Sequence, residues 1–198
     1  MTISTPRINT RRAFSLTEVI VAATITSFIL AGILSAFVMI GRTGFTASNY
    51  SELEAQTRRA LDTFGQDVRK ATDIHWNSAQ SVTLSVATST NATTQVTYAY
   101  DATTGADTSG CFYRQLGDTT STLPKFVLMK KVASDFAFHR YKLENTSNPT
   151  ADNTATTDLE TKQLEIVLRA TRTGSTTVAA NQSALSARYI LRNKRVTN

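Results

Sequence analysis

The 198-residue chain contains one cysteine, Cys111, so an exported domain built from it has no internal disulfide and depends on packing for its stability. Cys111 begins an apolar segment and reads as a small buried hydrophobe. Histidine is almost as scarce. His75 and His139 each stand without a His, Cys or carboxylate partner at metal-ligand spacing, and read as surface or core residues. There is no Gly-x-Ser-x-Gly, Walker or Rossmann motif. With no catalytic constellation present, the chain is not expected to be an enzyme. Lys plus Arg number 21 against 15 for Asp plus Glu, yet basic residues are not interleaved with aromatics, so no nucleic-acid partner is expected. The one basic cluster, Arg188, Arg192, Lys194 and Arg195, reads as a solvated strand edge and tail.

Against these absences stands one long apolar run, Val19–Gly41, which carries no charge and no proline. At 1.5 Å per residue its roughly 23 residues make a helix of about 35 Å, enough to cross a hydrocarbon core of about 30 Å. Arg11, Arg12 and Ala13 precede it, followed by Phe14 and, four residues on, the single carboxylate Glu18. Arg7, Arg11 and Arg12 lie in an N-terminal stretch without acids and supply half of the net +6 charge. Positive residues before a span place the N-terminus in the cytoplasm and the rest of the chain outside, so the expected location is the inner membrane, single-pass, with a periplasmic C-terminal domain.

In order, Arg11-Arg12-Ala13, Phe14, Glu18 and the uninterrupted apolar run resemble the prepilin signature of type IV pilins and type II secretion pseudopilins. The match covers about 30 residues, and all its parts fall in register. Ala13 departs from the glycine usual before the cut and is the next smallest residue. The resemblance implies that a prepilin peptidase cuts between Ala13 and Phe14 and methylates the new amine of Phe14, with Arg11 and Arg12 as the leader charge. It further implies that Glu18 sets assembly and register, and that the subunit joins other pilin or pseudopilin subunits through its apolar helix. In size and irregular loops the chain is most similar to PulJ/PilW-like minor pseudopilins and minor pilins, in a pilus or pseudopilus. Two other readings compete. A cleaved secretory signal has a shorter apolar region and an Ala-x-Ala-like site, which is missing between Ala31 and Ala47. A plain membrane anchor for a periplasmic binding or adhesion module explains the arginines and the span but gives Glu18 no role.

Three segments follow: a leader over 1–13, an apolar helix over 14–41 and an exported domain over 42–198. Gly41 and Gly44 are expected to loosen the helix where it leaves the membrane. Beyond Ser48, Tyr50, Leu53, Leu61, Phe64, Val68 and Ala71 recur on a helical period, opposite a charged face that includes the Glu54 and Arg58 pair. Leu53, Leu61, Phe64 and Val68 are the expected helix–sheet core. Strands are predicted around Val82–Val86 and Val96–Tyr100, and over Cys111–Leu116, Lys125–Val132, Ser134–Leu143, Gln163–Thr171 and Arg188–Arg192. Phe126, Leu128, Phe136, Phe138, Leu164, Ile166 and Leu168 are expected to face inward. Short connections without crossover helices favour one antiparallel sheet, giving an α+β, pilin-like fold. The Thr/Ser/Asn/Asp-rich stretches 88–94, 101–110, 145–158 and 171–183 read as surface loops, and the sequons at Asn49, Asn91, Asn145 and Asn181 as products of that composition. No cofactor is expected. The minor alternative is calcium, in a loop holding Asp101 and Asp107 or one holding Asp152, Asp158 and Glu160, neither of which has the EF-hand pattern.

Overall fold

A computed structural model describes residues 14–89, 92–143, 152–172 and 181–195 of the chain. Arg11, Arg12 and Ala13 of the expected cleavage signal lie outside the described residues, as do the sequons at Asn91 and Asn145. Among the described residues are one helix, α1 (Leu16–Lys70), and eight strands, all in antiparallel pairs. The architecture is α+β. The chain divides into two compact units, Met1–Phe45 and Thr46–Asn198.

In the first unit, no side chain from Phe14 to Phe45 is buried. Its 18-residue window of highest mean hydropathy reaches 2.3, long and apolar enough to cross a membrane. Three hydroxyls in this stretch bond the helix's own carbonyls: Thr24 to Val21 at 2.8 Å, Thr26 to Ala22 at 2.8 Å and Ser27 to Ala23 at 2.8 Å. Internal satisfaction of polar groups is what hydrocarbon demands of a segment placed in it. α1 runs without a break through Gly41 and Gly44, where the sequence leads one to expect a looser helix. A glycine's propensity cost of about 1 kcal/mol is small beside a helix that continues on either side.

In the second unit, residues 46–70 of α1 meet two sheets. Sheet A orders β1 (Ala71–Ser78), β2 (Ser81–Ser89), β3 (Ala92–Asp101), β4 (Cys111–Leu116) and β5 (Lys125–Met129) as a meander. Sheet B orders β6 (Ala137–Tyr141), β7 (Gln163–Arg172) and β8 (Asn181–Ile190) likewise. The single sheet expected from the sequence is therefore two, and Val132, beyond the end of β5, makes an isolated bridge to Ala170 of β7. Leu53, Thr57, Ala60, Leu61, Phe64, Gly65 and Val68 form the buried stripe of α1. Phe64, with no exposed surface, is the hub. Its ring centroid lies 5.0 Å from that of Tyr98 on β3, 5.6 Å from Phe138 on β6 and 5.5 Å from Tyr189 on β8. One side chain thus joins the helix to both sheets.

Other expectations are corrected. Tyr50, placed on the apolar stripe, is half exposed, and Ala71 closes the stripe by opening β1. β1 itself was not foreseen. Phe126 is 72% exposed, Leu128 is only partly buried, and Met129 fills the core instead. Phe136 is buried but precedes β6, which is shorter than Ser134–Leu143. β8 begins at Asn181, inside the stretch read as loop, and residues 88–89 and 92–94 belong to β2 and β3. Lys194, read as part of a solvated tail, is buried, with its ammonium donating to Leu159 O at 3.3 Å.

Candidate functional site

At the start of α1, Phe14 is 85% exposed and Ser15 caps the helix. The Glu18 amide donates to Ser15 Oγ at 3.3 Å. In return the Ser15 amide and hydroxyl donate to Glu18 Oε2 at 2.9 and 3.0 Å. Residues of this type three apart form a capping box, each satisfying a backbone donor that a helix start leaves without a partner. The Ser-x-x-Glu spacing in the sequence is the signal for this box, which the reading of Glu18 as an isolated charge does not include. Both donors use Oε2, and neither uses Oε1. The other residues implied for processing, Arg11, Arg12 and Ala13, lie outside the described residues.

Glu18 and the residues expected to form the helix–sheet core fall in different units. Leu53, Leu61, Phe64 and Val68 are all at most 7% exposed within the second unit. Two of their neighbours on α1, Asp67 and Gly65, fasten the helix to the strands in different ways. Asp67 Oδ2 accepts from the Tyr98 hydroxyl at 2.7 Å and from Arg114 Nε at 2.9 Å, binding the helix to β3 and β4. Burial and the adjacent Asp67 carboxylate raise the Tyr98 phenol far above its ordinary range. Gly65 lets Tyr189 approach. A Cβ there would lie 2.6 Å from the Tyr189 ring, whose hydroxyl donates to Leu61 O at 3.1 Å.

The two acidic groups considered for calcium are engaged otherwise. Asp101 accepts from the Thr108 hydroxyl at 2.5 Å, the Thr103 amide at 3.0 Å and the Lys125 ammonium at 3.2 Å. The Thr108 hydrogen bond leads in holding its carboxyl well below the usual carboxylate range, while Asp107 is exposed and apart from these contacts. Asp158 accepts from Arg140 at 2.8 Å and from the Trp76 amide at 3.2 Å, Glu160 pairs with Lys142 at 3.1 Å, and Asp152 accepts from the Thr154 amide at 2.9 Å. Each carboxylate serves its own turn or cation. Among the described residues no group of three or more His, Cys, Asp and Glu converges as a metal site. A cleft of about 240 Å³ is lined by Trp76, Phe138, Arg140, Tyr141 and Thr154, but the Arg140 guanidinium lies 4.9 Å above the Trp76 ring and is already held by Asp158.

No protein-family model matches this chain, and neither a curated protein nor a solved structure matches it.

Proposed function

We propose that this chain is a minor structural subunit of a type IV pilus or a type II secretion pseudopilus. The observation that carries the reading is the register of Arg11-Arg12-Ala13, Phe14 and Glu18 against an apolar helix whose first stretch buries no side chain within its own chain. Such a surface needs hydrocarbon or other apolar helices around it. In this reading the leader stays in the cytoplasm, the peptidase cuts after Ala13, and the domain beyond residue 42 lies outside the inner membrane. The subunit then joins its partners helix to helix, with the methylated amine of Phe14 and the Glu18 carboxylate fixing axial register by charge. Apolar contact alone discriminates poorly between registers, because every offset buries similar surface. The free Glu18 Oε1 supports that role, since the cap leaves one oxygen for a cation. No catalytic activity and no cofactor form part of the proposal.

One observation favours a second reading, a membrane-anchored periplasmic binding or adhesion module. The capping box gives Glu18 a local task in the uncut chain, so a plain anchor no longer leaves that residue without a role. Intact mass of the protein from membranes of cells with an active prepilin peptidase separates the two. The filament reading expects a chain that begins at Phe14, and Ala13→Leu blocks the cut by bulk. A wild-type chain that keeps residues 1–13 overturns it in favour of the anchor.

A further inference from the structure

The two edges of sheet A differ. The outer side of β1 is occupied: the Trp76 amide donates to Asp158, and the Phe138 amide of β6 donates to Ala79 O at 2.7 Å in the adjoining turn. On β5, by contrast, no strand pairs with the outer side among the described residues. Protein edges of this kind are usually blunted by lysine or proline. Pro124 precedes β5 and Lys125 opens it, but the Lys125 ammonium turns back to Asp101 and sits 4.5 Å above the Tyr113 ring, so its charge is engaged within the sheet. Beside it stand three large apolar side chains, Phe126 at 72%, Leu123 at 51% and Leu116 at 43% exposure.

A second observation lies at the far end of the same strand. Lys130 and Lys131 follow Met129 directly, both exposed, and together with Glu52, Leu53 and Gln56 line a cleft of about 160 Å³. Neither ammonium takes part in the ion pairs found among the described residues. Lys131 has a φ of 57°, the one non-glycine residue at positive φ among the described residues. Strain of this sort persists where the surroundings over-determine it, and ligand clamps are one such setting.

We propose that β5 is a docking edge for an extended, acidic segment of another polypeptide, which joins sheet A as a sixth strand. Main-chain hydrogen bonds to the open edge supply affinity, and alternate side chains supply selectivity. One apolar side chain of the segment covers Phe126, and a carboxylate meets Lys130 and Lys131. Charge complementarity selects the partner: two ammoniums outside every ion pair found among the described residues, beside an apolar edge, favour carboxylates over lysines. The inference concerns residues 46–198 and stands whether or not the N-terminal helix enters a filament.

The test uses the purified full chain in detergent micelles and dye-labelled eight-residue peptides read by fluorescence anisotropy. One peptide alternates valine and threonine between terminal glutamates, a second carries terminal lysines instead, and a third is the acidic peptide with proline at alternate positions. The expected result is saturable binding of the acidic peptide, binding of the lysine peptide weaker by about tenfold or more, and none of the proline peptide, which lacks the ladder N–H groups. Lys130→Glu with Lys131→Glu should reverse the order of the first two. Phe126→Ser should weaken the acidic peptide without altering the fold, because that side chain is exposed. Absence of saturation, equal binding of the proline peptide, or an order unchanged in the charge-reversed chain would each overturn the proposal, the second by showing a charge-only surface.

Discussion

The two stretches of α1, residues 16–45 and 46–70, share a backbone and use their side chains in opposite ways. The first is the most apolar part of the molecule and buries nothing. The second is studded with charges, yet buries seven residues, among them Thr57 and Gly65, which no hydrophobicity scale would choose. Burial within the chain thus follows placement against the sheets rather than apolarity as such. The Thr57 hydroxyl is satisfied by Leu53 O at 2.8 Å, which makes its burial tolerable. The apolarity of the first stretch points to a different surrounding medium, not to a core of this chain's making.

Paired substitutions break or sharpen that contrast. The largest expected effect is at the hub. Phe64→Ala should destabilise the second unit by about 3–5 kcal/mol, the usual result of emptying a packed Phe site, whereas Phe28→Ala, at a side chain 80% exposed, should change it by less than about 0.5 kcal/mol. Urea unfolding of the full chain in detergent, followed by tryptophan fluorescence from Trp76, measures both. Equal midpoints would show that the contrast has no energetic content. Next is the polar anchor. Asp67→Ala leaves the Tyr98 hydroxyl and the Arg114 guanidinium without their shared acceptor, and should cost about 1.5–3 kcal/mol in the same assay, as hydrogen bonds to a charged group do.

The smallest effect is titratable. The Ser186 hydroxyl, assisted by Arg188 at 3.1 Å, pulls the Glu165 carboxyl from its ordinary 4.5 down to about 2. A carboxyl depressed in the folded state adds stability that is complete above its unfolded value and fades as pH falls through the folded one. The second unit should therefore lose stability between pH 4.5 and about 2. Glu165→Gln should show a shallower loss over that window, because the variant has no charge there to lose. Amide protection factors in residues 20–40, taken relative to the intrinsic exchange rate at each pH, should stay flat across the same range, because the segment carries no ionisable side chain.

Much of this architecture was legible because its signals are local. The short run Cys111–Leu116, rich in apolar and aromatic residues and set off by Gly110 and Gly117, has the bounds of β4, and the three-and-four spacing of Leu53, Leu61, Phe64 and Val68 marked the face of α1 that is buried. Where the reading failed, a period was interrupted. β1 carries register shifts between Ala71 and Asp73 and between Trp76 and Ser78, so its apolar residues never alternate long enough to declare a strand. Another shift, between Phe112 and Tyr113, places Met129 opposite Phe112 and takes the core position from Leu128, while Phe126 is left at an uncovered edge. β8 opens with Asn181, Gln182, Ser183 and Ala184, a composition that reads as loop until β7 is beside it. At the candidate site the residue types and spacing at 11–18 were readable, and the capping box could have been. The Asp67, Tyr98 and Arg114 cluster could not, since its members lie 31 and 47 residues from Asp67 and only the tertiary fold brings them together.

The notch at Gly65 sets an order of events in time. The helix face at Leu61–Gly65 is completed by Tyr189, which is 128 residues downstream of the carbonyl it bonds. Until that residue has been made and delivered, the hub at Phe64 lacks one wall. The early part of the domain therefore waits with an open apolar face while β8 arrives, and contacts of such long sequence separation are slow to form. A chain stopped short of residue 189 would hold the helix and most of the strands yet be unable to close over them, which makes the last tenth of the sequence the step that decides whether the rest is sealed or left sticky.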